Sequence, residues 1–365
     1  MYKIGCVTSA LAIRWKFGAT TLSTPRQGFL VPRSRLWLTA AISALLAIAA
    51  AVASLMVGIV TLPVGETLTA LFQPDAVPQR TSAVIWSIRL PRVLVAMLVG
   101  AALATVGVVM QAILRNPLAE PGITGVSAGA AVGAVASITL GFTGSARWGI
   151  PIAAFVGAAI VTLILQLVLQ TRRDLGSATV VLIGVSLSAL AGALINILIA
   201  NASDDALVRS AMFWLAGDLE LRDWQHVLIA VVPILAGIAW LASRFRQLDA
   251  LALGDQIAAT SGVHVHRERF TLLLVASLVT GAAVAVSGII SFVGLVVPHA
   301  MRLLIGASHA RLLPLSALGG ALFMVVADTI ARTAFGPVVV QTGVVAALIG
   351  APVFLILLLR KRSSA

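Results

Sequence analysis

The chain has 365 residues, of which 60% are hydrophobic and only 10% are charged, and its mean hydropathy is +1.06. Because a soluble chain carries about a quarter charged residues, this composition excludes a water-soluble globular protein. The net charge of +12 could suggest a nucleic-acid partner. However, the basic residues flank apolar stretches, which indicates a role in membrane orientation and no nucleic-acid binding.

The first predicted element is a basic tail, residues 1–35, which carries six Lys or Arg and no acidic residue. The rest of the chain, residues 36–362, is predicted to form one transmembrane domain of α-helices, because about 20 apolar residues are needed for each helical span. The predicted spans, in chain order, are Leu36–Val60, Val93–Leu114, Ile123–Phe142, Trp148–Gln170, Val180–Ala200, Trp224–Ala242, Phe270–Ile290, Ser291–Ile305, Leu312–Ala331 and Val344–Leu359.

The short, proline-containing stretch Ser291–Ile305 determines the topology. If it counts as a half-length crossing, the chain crosses ten times and both termini lie on the same side. With the N-terminus inside, the inner segments then hold 18 Lys or Arg against 5 Asp or Glu, and the outer segments hold 7 against 8. This asymmetry is typical of the positive-inside rule. We therefore expect a multi-pass protein of the bacterial inner membrane with both termini in the cytoplasm.

The stretch S-I-R-L-P-R, Ser87–Arg92, precedes the second span and is predicted to lie outside. Arg89 and Arg92, with Arg332 at the outer end of the ninth span, run against the charge bias. They could snorkel toward lipid headgroups, or they could form a docking site for an acidic partner. The sequence leaves both interpretations open.

A small-residue motif occurs twice. G-A-A-L-A-T-V-G (Gly100–Gly107) and G-A-A-V-A-V-S-G (Gly281–Gly288) both match GAAxAxxG. They lie in spans two and seven, which run in opposite directions, so the motif indicates an inverted repeat of the kind found in transporters. The alternative is that small residues simply let helices pack closely.

Several kinds of chemistry are missing from the sequence. It has no G-x-x-x-x-G-K-[ST] motif to hold ATP phosphates, and no metal-ligand cluster or catalytic constellation. Asp328 is the one acidic residue expected within a span. We therefore expect no cofactor, no metal site and no enzyme activity in this chain. The scarcity of midplane ionisable groups also disfavours a carrier driven by a proton or sodium gradient, which remains the rival interpretation.

The longest polar loop after the tail covers residues 243–269. Within it, Leu248–Val263 reads as two short helices joined at Gly254, a compact projection that we call the knob. Its small residues would fit a groove on another protein. The alternative, an interfacial amphipathic helix, would need bulkier anchors and lysines.

Five motifs in this order resemble the FecCD family, the permease subunits of ABC importers for iron chelates, haem and cobalamin. They are R-L-P-R-V-L, G-A-A-L-A, R-N-P-L-A-E-P-G-I-T-G-V-S-A-G-A, S-F-V-G-L-V-V-P-H and A-D-T-I-A-R. The resemblance implies a cobalamin-permease-like fold of ten spans, in a homodimer. It also implies two ATP-binding subunits, which hold ATP and Mg, and a periplasmic substrate-binding protein.

The resemblance also assigns roles to residues. Arg89, Arg92 and Arg332 match positions that receive acidic residues of the binding protein, and Ser177 and Ala178 match the inner gate. The positions that match the ATPase coupling helices are Leu251, Leu253, Gly254, Asp255, Ala258 and Gly262. The implied cargo is an iron chelate, either haem or a ferric siderophore, with cobalamin as the alternative.

Overall fold

The computed structural model describes residues 33–58, 62–141, 148–171, 177–334, 336 and 340–362. Within these ranges the regular structure is helical. The helices are α1 (Arg33–Met56), α2 (Val64–Phe72), α3 (Gln79–Ala83), α4 (Leu90–Ile113), α5 (Val126–Thr139), α6 (Gly149–Thr171), α7 (Ser177–Ala200), α8 (Asp205–Leu215), α9 (Trp224–Ser243), α10 (Phe245–Leu253), α11 (Asp255–Thr260), α12 (Val265–Ser287), α13 (Val293–Ile305), α14 (His309–Thr333) and α15 (Thr342–Arg362).

Among the described residues, seven helices are long and apolar enough to cross a membrane, and α5, α13 and α15 supply three shorter apolar stretches. The ten elements agree with the ten predicted spans, including the half-length eighth. The chain is therefore an all-α, multi-pass membrane protein. We name the two ends of the bundle by their contents: the knob end carries the knob, and the arginine end carries Arg89, Arg92 and Arg332.

Both ends of the described chain lie at the knob end. The last turn of α1 contacts Arg89 and Arg332 at the arginine end, so α1 starts at the opposite end. The first residue of α15, Thr342, bonds Asp328 at the arginine end, so α15 finishes at the knob end. This arrangement is the one expected for an even number of crossings.

The centre of the bundle is formed by α4 and α12. In their most apolar stretches 78% and 72% of the residues are buried, against 22% in α1 and in α7. The central helices accordingly pack against several neighbours, including α6, α9, α13 and α14. The peripheral helices are left with broad apolar faces for lipid or for another protein.

Close packing at the centre depends on glycines of the repeated motif. A Cβ atom at Gly100 would overlap the carbonyl oxygen of Gly320 in α14, and one at Gly107 would overlap that of Gly294 in α13. Small residues of this kind allow helix backbones to touch in a membrane. The packing interpretation of the motif therefore holds for α4.

The two half-length helices, α5 and α13, follow α4 and α12 respectively, and each begins after a residue in the left-handed backbone region. These residues are Gly125, with φ of 78°, and Phe292, with φ of 70°. A central helix followed by a turn and a half-length helix thus occurs twice, and the two copies run in opposite directions. This order agrees with the predicted inverted repeat.

The segment Thr61–Arg92 between the first two predicted spans, expected as a polar connection, is largely helical in its described part. α3 continues through a π-helical turn, Val84–Arg89, into α4 without a break. Pro91 lacks the N–H that an α-helix would direct to the carbonyl of Ser87. The wider turn accommodates this loss, and such turns are frequent at functional sites. Likewise, the predicted polar segment Asn201–Asp223 contains α8.

Candidate functional site

The main cavity of the arginine end has a volume of about 890 Å³. It brings together Arg89 from the π-helical turn, Arg92 from α4 and Arg332 from α14, as the sequence predicted, and adds Arg222 from the α8–α9 connection. Its apolar wall includes Trp214 of α8. Glu220 and Asp223 also line this cavity, so four arginines and two acidic residues, from elements distant in the sequence, form its wall.

Arg92 is paired with a carboxylate of its own chain. Its Nε lies 3.1 Å and 3.0 Å from the two carboxylate oxygens of Asp328, and its Nη2 lies 2.8 Å from Oδ1. Asp328 is 1% exposed. A two-point pair of this kind fixes the guanidinium plane as well as its position. Arg92 is therefore held in place by α14 and lines the cavity from there.

Arg332 shares the same carboxylate and also holds α1. Its Nε is 3.2 Å from Asp328 Oδ2, as expected for an i,i+4 pair. Its Nη2 donates to the carbonyl oxygen and the hydroxyl of Ser54, at 3.1 Å and 2.7 Å, and its Nη1 donates to the carbonyl of Val57 at 3.2 Å. Two guanidinium groups on one carboxylate leave a net positive charge at the cavity wall.

Arg89 also stabilises the end of α1. Its Nη1 donates to the carbonyls of Leu55 and Met56, which have no partners within the helix because the last carbonyls of any helix lack them. A positive charge is also favourable at a helix C-terminus. Arg89 and Arg332 both cap the end of α1, so neither side chain simply snorkels toward lipid headgroups. Docking of an acidic partner on the three arginines remains a prediction.

No role was predicted for the connection before α9, which completes the cavity. Arg222 donates from Nη2 to the carbonyl of Asp218 at 3.0 Å, and burial lowers the pKa of its guanidinium. Burial alone would raise the pKa of Asp223, but hydrogen bonds from His226 and Gln225 outweigh it and leave that pKa below its usual range. These bonds form the N-terminal cap of α9. A capping Asp before an apolar helix is a signal that the sequence did contain.

Two tryptophans lock the π-helical turn. Trp86 donates from its indole N–H to the carbonyl of Ala70 in α2 at 2.8 Å, and Trp224 donates to the carbonyl of Trp86 at 2.8 Å. Their rings stack with centroids 6.3 Å apart. The rim of the cavity is therefore tied to α2 and to α9, and Trp is common at this level of a membrane protein.

At the opposite end, the knob contains the second half of α10 and all of α11, joined at Gly254 with φ of 120°. The leucines of the knob differ in their exposure. Leu248 and Leu251 are buried in the bundle, whereas Leu253 is 68% exposed. Leu253, with the exposed Ile257, is therefore the apolar part available to another protein.

The remaining predicted knob residues differ in their environments. Ala258 is buried and Gly262 is exposed in a turn with φ of 83°. Asp255 pairs with Arg269 at 2.8 Å and lies 3.9 Å from Arg115 at the end of α4. The second pair is half-exposed and contributes little by itself, but it connects the knob to the central helix.

The predicted inner gate is described only in part. α7 begins at Ser177, and Ala178 is exposed at the knob end. The side chain of Ser177 and residues 172–176 lie outside the described residues. The role of Ser177 and Ala178 stays a prediction.

One carboxylate was missed. Glu120 was assigned to a connection, yet its Oε2 accepts a hydrogen bond from the backbone N–H of Phe292 at 3.3 Å, where α13 begins. A Cβ at the neighbouring Gly294 would lie 2.8 Å from the carbonyl of Leu103, and Leu103 is about 15 Å along α4 from its knob-end terminus. Since a bilayer core is about 30 Å thick, Glu120 lies near mid-depth. Asp328 is therefore not the only acidic residue inside the bundle.

Comparison with known proteins gives a family match. A model of the FecCD transport family matches residues 44–360. The cobalamin import system permease protein of Halobacterium salinarum is 45% identical over 283 residues, covering 77% of this chain and 75% of that protein. The hemin transport system permease protein of Yersinia pestis is 43% identical, covering 76% and 84%. The Fe(3+) dicitrate transport system permease protein of Escherichia coli is 44% identical, covering 76% and 86%.

A solved structure has the same fold. It is described as an inward-facing conformation of an ABC transporter of the metal-chelate type, and it matches with a TM-score of 0.79 at 32% identity. The match covers 90% of this chain and 100% of that one.

Proposed function

The chain belongs to the FecCD transport family and is a permease subunit of an ABC importer, and from this premise we propose how its two ends divide the work. The arginine end receives a cargo-loaded binding protein, and the knob end receives the ATP-binding subunits. The observation that carries this proposal is the position of the arginine cavity and the knob at opposite ends of one bundle. This chain itself breaks no bond in the cargo.

The orientation follows from charge. The excess of basic residues lies in the tail, in the predicted coupling loop (residues 243–269) and in the C-terminal Arg360–Arg362, segments that join the bundle at its knob end. By the positive-inside rule this end faces the cytoplasm of a bacterial cell and the arginine end faces the periplasm. Nucleotide and Mg then bind to the partner ATPases, and the chain itself carries no cofactor.

Docking uses the net positive charge around Asp328. Arg92 and Arg332 carry two positive charges against the one negative charge of Asp328. A carboxylate of the binding protein would neutralise the remaining positive charge. Charged pairs at such a surface steer association and fix orientation. A two-fold symmetric homodimer presents two such cavities, because closed symmetry repeats each surface.

Coupling uses the exposed part of the knob. Leu253 and Ile257 enter a groove of an ATP-binding subunit, and the buried Leu248 and Leu251 transmit its motion to the bundle. The exposed faces of α7 and α15, together with α5, line a path between the two copies. Ser177 and Ala178 close this path at the cytoplasmic side.

The cargo is an iron chelate, either haem or a ferric siderophore. The hemin and ferric dicitrate relatives support this choice. Cobalamin is the second candidate, and the 45% identity to a cobalamin permease supports it. A screen of the cognate periplasmic binding protein against haem, ferric citrate and cobalamin decides between them by which ligand it retains.

The test of the whole proposal is reconstitution in liposomes. Uptake of the retained ligand is expected only when this chain, the ATP-binding subunit, ATP with Mg and the loaded binding protein are all present. Proton and sodium gradients imposed on liposomes with this chain alone are the control. Uptake driven by such a gradient would support the rival carrier mechanism and overturn the proposal.

A further inference from the structure

The carboxylate of Asp328 connects the arginine cavity to a helix that does not line it. Thr342, the first residue of α15, donates its hydroxyl hydrogen bond to Asp328 Oδ1 at 2.9 Å. The same oxygen accepts from Arg92 Nη2 at 2.8 Å. Thr342 is 1% exposed, so water does not substitute for its hydroxyl group. One buried oxygen atom is thus shared by the cavity wall and by α15.

Donors that share one oxygen compete for it. When a carboxylate from outside attracts Arg92, the hold of Arg92 on Oδ1 changes and the bond from Thr342 strengthens or weakens in response. Hydrogen bonds in a buried network of low dielectric influence one another in this way. The charge at the cavity therefore has a direct route to the start of α15.

α15 is suited to respond because few contacts within its own chain hold it. It packs mainly against α14 and α13, and Ala351, Pro352 and Val353 in its middle are exposed. Pro352 also removes a backbone hydrogen bond from the helix interior. At its start, the second anchor is the N–H of Gly343, which donates to the carbonyl of Gly217 at 2.9 Å.

We propose that the Thr342–Asp328 hydrogen bond transmits docking at Arg92 and Arg332 to α15, which makes Thr342 a positioning residue for transport. This inference rests on the proposed docking function. In contrast to a purely structural role, this role predicts that loss of the Thr342 hydroxyl leaves docking of the binding protein intact and impairs activation of the importer.

The chain offers a matched comparison. Thr342→Val keeps the shape of the side chain and removes the donor, and Thr342→Ser keeps the donor. Ser54→Ala removes another hydroxyl of the same cluster, the one that accepts from Arg332 Nη2 at 2.7 Å. Ser54 belongs to α1, so its loss leaves the link to α15 intact.

The experiment uses the complete importer in liposomes with the cognate loaded binding protein. For Thr342→Val, the dissociation constant of the binding protein is expected to stay within twofold, and the ATPase stimulation by that protein is expected to fall at least fivefold. Thr342→Ser and Ser54→Ala should both retain stimulation. Full stimulation in Thr342→Val, or an equal loss in Ser54→Ala, overturns the proposal.

Hydrogen exchange of the unaltered complex gives a second test if Thr342→Val does not assemble. Docking is expected to change amide protection at Gly343–Ala347 by at least threefold, and unchanged protection there contradicts the proposal. If binding of the loaded binding protein does not depend on Arg92, the proposed docking function is wrong. This binding is measured without ATP, so its failure is distinguishable from a failure of the Thr342 proposal.

Discussion

At the scale of single residues, the arginine cavity depends on how one carboxylate distributes its hydrogen bonds. Arg92 uses Nε and Nη2 for Asp328, and within the described residues no hydrogen bond reaches its Nη1. Arg332, in contrast, directs both terminal nitrogens to α1. Arg92 therefore keeps a terminal nitrogen available for a partner.

Arg92→Gln should weaken association of the binding protein by at least tenfold, because truncation of one member of a desolvated charge pair costs about 2–5 kcal/mol. Glutamine is preferable to glutamate, since a second carboxylate would repel Asp328. Arg80→Gln is the control, because Arg80 is exposed in α3 and does not line the cavity. Binding measured across a range of salt concentrations checks this, and equal affinity of both variants would exclude docking at Arg92.

Glu120 gives a stability prediction. Glu120→Ala removes the acceptor of the Phe292 N–H at mid-depth, and an unpaired buried backbone group costs about 1–3 kcal/mol. Glu120→Gln keeps an acceptor oxygen and should stay close to the unaltered protein. Thermal unfolding of the purified protein in detergent measures the difference. Equal midpoints for the two variants would show that this hydrogen bond does not contribute.

At the scale of helices, the sequence predicted the ten apolar elements well because length and hydropathy determine spans. The places where prediction failed involve contacts between distant residues. The π-helical turn before Pro91 depends on Trp86 and Trp224, which are far apart in the chain. The depth of Glu120 depends on α13, which receives it. No local pattern contains either contact.

Close helix contact at the glycines leads to a further prediction. Gly100→Ala places a methyl group against the backbone of Gly320 and should cost about 1–3 kcal/mol, as overpacking typically does. Gly192→Ala in α7 is the matched control, because a Cβ there meets nothing within 4 Å. Unfolding midpoints of the two variants compare the two sites. A destabilised Gly192→Ala with an unaffected Gly100→Ala would contradict the packing.

The knob can be tested through its glycine. Gly254→Pro cannot adopt φ of 120°, since proline fixes φ near −65°. The turn between α10 and α11 must therefore change. Stimulated ATPase activity of the assembled importer should fall to the basal level while the binding protein still docks. Thr260→Ala, at the exposed end of α11, serves as the control, and persistent stimulation in Gly254→Pro would exclude the knob as the coupling element.

At the scale of the whole molecule, an even number of crossings brings both ends of the described chain to the knob end. The two ends of the bundle therefore differ in charge and in proposed role. A single cysteine introduced at Ser203, before α8, should react with a membrane-impermeant maleimide in intact spheroplasts. One introduced at Gln256 in the knob should react only after the membrane is permeabilised. Cys6 is replaced by serine in both variants. Reversed labelling would invert the proposed orientation.

The filled centre of the bundle has a consequence for how anything can cross it. Because α4 and α12 occupy the middle and are mostly buried, the described part of one copy is filled at its centre by packed helices. In the proposed homodimer, we therefore expect the passage to lie between the two copies and to open when the two copies tilt apart. A single copy isolated in a small nanodisc should bind its soluble partners and yet conduct nothing.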